Sequence, residues 1–591
     1  MSHSPKTVLG RILVWRARHL SQQQFVLILS VLVGFITGLV AVVLKNTTHL
    51  IQQLISSNNF SQYFNPYYFV FPIIGIGITV LIRRLIKGKI GQGIPSTLFS
   101  ILRKNGILPT HRMYSSIITS IFTVGFGGSV GLEAPTVSSG AAIGSNLGRV
   151  MHIDYKSRIL LMSCAAAGAL ASIFNAPIAA IIFTIEIFSL DLTLTSLIPL
   201  LLSSAAGVVT SIFIQGNDYI FHLDKVSPFV VEELPLYILL GVITAFISLY
   251  FNKIYFRVSA YFNKISTQFR RTLIGGGLLG LMIFLFPPLY GEGYETINIL
   301  LNGNVTQIAN FGILESLDSK EYFIILMLLC LMMFKIIATS FTIGAGGIGG
   351  IFAPALFTGA TLGYLYSICI NDAGIASIAV SNYTLVGMTG LMAGTLHAPL
   401  TAIFMIAEIS GGYELFIPLM LVSAISFLVS RHFMPHSIYT TQLAQKGDLL
   451  THNKDKAVLS VLTVDKLVEK NFAEIHPKMS LRQLIQVVKT SKRNIFPVVS
   501  SSRKLVGILT LDDIRDIMFD ESLYDIIAVA ELMTQPPDTI QKDEDMKSVI
   551  QKFRSTGAWN LPVVDEETYV GFISKSKLFS AYRRKLIEFS V

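Results

Sequence analysis

The residues best suited to chemistry in this chain are few and lie among small and apolar neighbours. Glu133 is a lone carboxylate in Gly127–Gly144, GGSVGLEAPTVSSGAAIG. Pro135 follows two positions later and suits the first turn of a helix, where a missing N–H costs nothing. Glycines just before it let the backbone come close to a ligand. A helix N-terminus carries about half a positive charge and unpaired N–H donors, so it draws anions. An acid within a membrane is costly and is functional by default. Glu133 therefore reads as a tethered anion, seated where a mobile anion would otherwise sit. The plainer reading is a carboxylate that caps its helix; the anion donors around it favour function.

Four further clusters bear on the same chemistry. In Gly349-Gly350-Ile351-Phe352-Ala353-Pro354, Phe352 stands where Glu133 stands in the first segment. Backbone N–H groups at Ile351 and Phe352 would face an anion with no competing side-chain charge; tight packing through small residues is the alternative. Gly91-Gln92-Gly93-Ile94-Pro95 is a glycine-rich turn into a helix that begins at or near Pro95, and Gln92 has amide N–H groups to donate. Glu186 and Glu408 each follow an apolar run after an Ala-Pro break, and suit either a proton relay or a bond to neighbouring helix ends; their symmetry favours the structural role. Tyr439 offers a phenol donor to an anion, or an aromatic anchor at a membrane interface. There is no nucleophile–base set and no metal motif, so an enzyme is not expected. Carboxylates are few in this part, and the expected anion seat is made of peptide dipoles with no fixed cation.

These clusters must be positioned by elements that lie in lipid. The chain has 591 residues, 52% of them hydrophobic and 14% charged, with mean hydropathy +0.61; that is too apolar for a soluble protein of this size. The net charge of +10 is what basic cytoplasmic loops supply, and no basic aromatic stretch points to nucleic acid. Cys164, Cys330 and Cys369 have no metal-type spacing and read as structural thiols. Phe25–Leu44 and Tyr67–Ile82 read as two spans with basic clusters at both ends, which puts both ends inside the cell. From about 91 to 215 apolar segments are shorter and broken by Gly, Pro and Asn, the pattern of half-helices. Longer spans near Pro235–Phe251 and Leu273–Tyr290, a polar stretch Gly291–Lys320, and a span Tyr322–Phe334 precede a second broken region. That region repeats the first. Gly131-x-x-Ala134-Pro135-x4-Gly140-Ala141-x2-Gly144 returns as Gly350-x-x-Ala353-Pro354-x4-Gly359-Ala360-x2-Gly363, and Asn175-Ala-Pro…Glu186 as His397-Ala-Pro…Glu408, each at a constant offset. Paired broken segments in two halves point to a transport site at the repeat interface.

From about 464 the composition becomes that of a soluble domain, and a second repeat appears. Asn494-Ile-Phe-Pro-Val-Val499 with Leu505–Ile514 recurs as Asn560-Leu-Pro-Val-Val564 with Tyr569–Leu578. Each copy reads as strand, turn, strand, helix start, preceded by an amphipathic stretch.

Taken together, these residues resemble the CLC family of chloride channels and chloride/proton exchangers. GQGIP resembles the family's GSGIP, GLEAP its G(K/R)EGP and GGIFAP its GxFxP, and Tyr439 falls where the family has an inner-gate tyrosine. Order and spacing agree over roughly residues 25–445. The resemblance implies an all-α polytopic membrane protein with two inverted repeats of broken helices, a homodimer with one pore per subunit, and chloride held by helix N-termini. Glu133 would be the gate that competes with the anion. Gln92, Gly93, Ile94, Ile351, Phe352 and Tyr439 would line the anion sites, with Tyr439 as inner gate. Glu133 and Glu186 would be the candidates for a proton path. Ile187 stands where many exchangers have a second, internal glutamate, so the reading leans to a gated passive channel. A chloride/proton antiporter is the alternative, and a divalent-cation transporter regulated by the tail ranks well below both. The soluble tail resembles a tandem CBS pair, an α/β module in which Thr510 and Asp513 would hold the ribose of an adenine nucleotide, with a purely structural dimerisation module as the equal alternative; in the second copy Ser574 is kept but Lys577 replaces the aspartate. The expected division is a cytoplasmic segment 1–24, a membrane domain 25–445, a linker 446–463, and CBS copies 464–529 and 530–591, with the N-terminus and tail in the cytoplasm.

Overall fold

The computed structural model describes residues 8–57, 67–86, 93–190, 193–216, 221, 226–309, 321–444 and 462–590. They fall into two units, Met1–Asp448 and Leu449–Val591. The first unit is helical. Among the described residues seven helices are long and apolar enough to cross a membrane, and three apolar ones are shorter: Gly93–Leu102, Pro177–Phe188 and Pro399–Ile409. The opening span is longer than the expected Phe25–Leu44. It runs as a single helix over Gln22–Ser57, because Leu44 and Thr48 are buried and the Thr48 hydroxyl is satisfied by Leu44 O at 2.8 Å. Lys45 and His49 thereby stay on a helix.

The broken regions are broken for local reasons, and both in the same way. Asn175 and His397 end their helices in the left-handed conformation, at φ 52° and 55°. Pro177 and Pro399 then open the next helices, where a missing N–H costs nothing. The free N–H groups of each short helix are capped by a carboxylate from the other half. Glu408 accepts from Ile178 N–H at 3.0 Å and Ala179 N–H at 2.8 Å. Glu186 accepts from Leu400 N–H at 3.0 Å and Thr401 N–H at 2.9 Å. Equivalent residues thus exchange equivalent bonds, the mark of a two-fold relation that turns one repeat over against the other. The fold class is the one expected: membrane helices in two inverted repeats.

The second unit is a pair of small α/β modules. Ile495–Val499 pairs antiparallel with Leu505–Thr510. Asn560–Asp565 pairs antiparallel with Thr568–Ser574 and parallel with Ile540–Gln541. The register slips between Val498 and Val499 in one copy and between the matching Val563 and Val564 in the other. The hairpins bond to each other through Tyr569 N–H to Arg503 O, 3.0 Å, and Leu505 N–H to Glu567 O, 3.2 Å. Each copy keeps its own apolar core, with Phe496 and Leu509 in one and Leu561 and Ile573 in the other.

Candidate anion site

Two helix N-termini meet where the repeats join. Gly131 N–H donates to Gly350 O at 2.9 Å and Gly350 N–H to Gly131 O at 2.7 Å, an isolated antiparallel bridge. Flanking it, Ser129 N–H donates to Thr342 Oγ1 and Ile348 N–H to Thr123 Oγ1, both at 3.1 Å. These are again equivalent residues of the two halves. The Glu133–Val150 and Phe352–Asp372 helices start two residues beyond the bridge. Their first-turn N–H groups are therefore brought to one place without any side chain, and each end adds its partial positive charge there.

Glu133 fills that place. Its side chain is 2% exposed and folds back over the bridge. A Cβ added at Gly350 would lie 2.7 Å from Oε2, and one at Gly131 would overlap the carboxylate. The backbone N–H groups of Glu133 and of Ala353, on the facing helix, adjoin the carboxylate. Tyr294 donates its hydroxyl to Oε1 at 2.9 Å. A carboxylate seated beside two helix termini, bonded at Oε1 by a phenol and with Oε2 left without a hydrogen-bond partner, occupies what a small anion would want.

Tyr294 was not legible as a site residue, and two others were missed with it. All three belong to, or hold, the stretch Gly291–Lys320 that reads as a polar connector. Gly291 and Gly293 have φ of 58° and 91°, and a Cβ at Gly293 would come within 2.5 Å of Phe357. Only glycine turns the chain this tightly, and the turn delivers Glu292 and Tyr294 to the seat. Glu292 Oε1 accepts the N–H of Leu132 at 3.1 Å, on the residue before Glu133. Lys335 holds the turn from the other side. It is fully buried, donates from Nζ to Gly291 O at 3.0 Å and Leu289 O at 3.4 Å, and stands 4.7 Å over the Phe357 ring. It is a buried basic side chain whose bonds go to the turn that carries Glu292 and Tyr294. Its signal was available: a single lysine deep inside the apolar Glu321–Ala345 helix.

The other expected residues divide into those assembled and those elsewhere. Gly93, Ile94, Ile351 and Tyr439 line one cavity of about 50 Å³ together with Tyr255 and Gln442. The Gly93–Arg103 helix opens at Gly93, two residues before Pro95. Phe352 is buried and packs on Phe174, ring centroids 5.2 Å apart. Gln92 lies outside the described residues. Glu186 is engaged as a helix cap, the structural one of its two readings. On the far side of Glu133 are two adjoining cavities of about 430 and 350 Å³, which share His49, Glu292, Tyr294 and Glu295. Leu132 borders this vestibule, while Ala134 and Pro135 border the small cavity. Glu133 stands between them.

In the tail, Asp513 Oδ2 accepts both the N–H and the hydroxyl of Thr510 at 2.7 Å, a local helix cap. In the second copy Ser574 donates its hydroxyl to Glu469 at 2.8 Å, and Arg493 bonds the same carboxylate at 2.7 Å. Burial works against the Glu469 charge, but the bonds from Ser574 and Arg493 hold its carboxyl below the usual carboxylate range.

Comparison with known proteins bears on the whole arrangement. Residues 74–431 match the voltage gated chloride channel family, and 464–520 and 529–584 each match the CBS domain. The chain is 31% identical over 367 residues to the ClcB-like protein of Ralstonia nicotianae, covering 60% of this chain and 80% of that one. It is 28% identical over 439 residues to the H(+)/Cl(−) exchange transporter ClcA of Vibrio cholerae, covering 71% and 89%. Among solved structures, a eukaryotic CLC transporter aligns with TM-score 0.61 at 17% identity, over 93% of this chain and 97% of that one.

Proposed function

This chain belongs to the voltage-gated chloride channel (CLC) family, and from that premise we propose that it moves chloride along a path interrupted by Glu133, with protons exchanged in return. The observation that carries the reading is the position of the Glu133 carboxylate, laid over Gly131 and Gly350 at two converging helix termini. Chloride and this carboxylate compete for one set of N–H donors. An acid that takes a proton loses its claim on those donors, so acidification releases the seat to the anion. Proton coupling is supported by the exchange named for the ClcA relative, which aligns over most of its length. The second reading, passive conduction, is favoured by Ile187, an aliphatic residue in place of an internal acid, and by the engagement of Glu186 as a cap. A cation cargo has no such support, because N-terminal rather than carbonyl ends face the seat.

The resemblance further supports a homodimer with a path in each subunit, and a cytoplasmic N-terminus and tail. Thr510 and Asp513 are proposed to hold an adenine nucleotide, for which their mutual bonds must open; calorimetry of the full chain with ATP and with AMP tests this, and absence of heat removes it. The main reading is tested in liposomes under a chloride gradient with a proton electrode. Coupled exchange drives protons against their own gradient in fixed ratio to chloride. Chloride movement without proton movement leaves passive conduction in its place.

A further inference from the structure

Glu292 is not used by the gate as described, yet it is built into the same helix terminus. Its Oε1 holds the Leu132 N–H at 3.1 Å, one residue before the tethered acid. The charges facing it come from several elements. Glu133, Lys45 and Lys335 act on it directly, and His49, Tyr294 and Glu295 border the vestibule beside it, with Tyr290 on its far wall. Lys335 is itself bonded to the carbonyls of Gly291 and Leu289. Glu292 lines both vestibule cavities, whereas the Glu133 carboxylate lies beneath, covered by Tyr294.

Two carboxylates at one dry helix terminus cannot both be anionic without cost, and they share protons as a pair. We infer that Glu292 is a positioning residue for the gate: a second carboxylate, fixed on the Leu132 N–H and open to the vestibule, that sets the proton activity at which Glu133 leaves its seat. A proton entering from vestibule water is shared between the two carboxylates. The negative charge of Glu292 makes that proton easier to take. This rests on the reading of Glu133 as gate and adds to it the side from which the gate is sensed. The basic N-terminal segment places the Lys45–His49 end of the first helix, and so the vestibule, outside.

The test is chloride flux in proteoliposomes while pH is varied on the vestibule side alone. Glu292→Gln keeps an acceptor for Leu132 and removes the charge. The flux midpoint should move to lower pH by about one unit, the size of effect a nearby like charge exerts. Lys45→Gln removes an opposing charge and should move the midpoint to higher pH; it serves independently if Glu292→Gln does not fold. In a Glu133→Gln background neither change should have any effect on the pH response. If Glu133→Gln abolishes the pH response but Glu292→Gln and Lys45→Gln leave the midpoint in place, the role of Glu292 is overturned and the gate stands. If the pH response survives Glu133→Gln, both are overturned.

Discussion

The two halves of the membrane unit share a backbone and differ at one decisive side chain. Each delivers a helix N-terminus to the Gly131–Gly350 bridge, and each supplies a carboxylate that caps the other's broken helix. At the first helical residue, however, one half has Glu133 and the other Phe352. The symmetric backbone makes a place fit for an anion, and in the proposed gating the asymmetric side chain decides when that place is free. The same holds beside the seat. Lys335 supports the vestibule loop, while Ser116, its equivalent in the first half, borders the small cavity with Tyr439. Turning one repeat over puts equivalent positions on opposite sides of the seat, so each side can be furnished differently.

The sharpest way to break this comparison is to exchange the decisive residue. Glu133→Gln should remove the dependence of chloride flux on pH and all proton movement, a loss of at least tenfold, while chloride still passes. Phe352→Leu should leave the pH dependence where it was. Flux and proton traces on matched liposomes report both, and equal effects would show that the halves are not functionally distinct. Next in size is Gly350→Ala. The added Cβ would lie 2.7 Å from Glu133 Oε2 and 3.1 Å from Ala134 N, so the acid must leave its seat. Chloride flux at neutral pH should rise several-fold and its pH response flatten.

The symmetric part of the comparison predicts parallel effects. Glu186→Ala and Glu408→Ala each leave two helix N–H groups without their acceptor, a cost of about 1–3 kcal/mol. Thermal unfolding in detergent should show a loss for both, the larger for Glu186→Ala because its carboxylate also accepts the Thr401 hydroxyl, and neither should change the pH midpoint of flux. A loss in one variant alone would show that only one cap supports the fold. The smallest effect lies in the tail. Glu469 has its folded carboxyl below the unfolded value near 4.3. It therefore adds stability above that pH, and the contribution disappears as pH falls through the lower folded value. Arg493 is 40% exposed, so the size is under about 1 kcal/mol. Acid unfolding of the full chain followed by Trp559 fluorescence should lose this component in Glu469→Gln.

Much of the architecture could be read from the chain because membrane and repeat constraints are local. Backbone groups in lipid must be satisfied within the segment, so spans and breaks are written in hydropathy and in Gly, Pro and Asn. Asn175-Ala-Pro and His397-Ala-Pro each mark a left-handed stop followed by a proline start. Glu133 was visible for the same reason, as an acid where acids are costly. Glu292 and Tyr294 were not, because a polar residue in a polar stretch carries no such cost until the fold buries it. The helical continuation through Lys45 and His49 was also missed, since those polar residues resemble the end of a span until a neighbouring wall is known.

What the sequence determined by itself is the lipid setting, the pair of repeated broken helices, the doubled tail module and the acid at the head of the Glu133–Val150 helix. Periodicity and the cost of polar groups in lipid act within a few residues, and a single chain records them. Only the tertiary structure decided that Glu186 and Glu408 are exchanged between halves, that a buried lysine holds the vestibule loop, and that Glu292 shares a helix terminus with Glu133. Those partners are 44 to 230 residues apart in sequence, and distance through space is fixed by packing, which no local pattern carries.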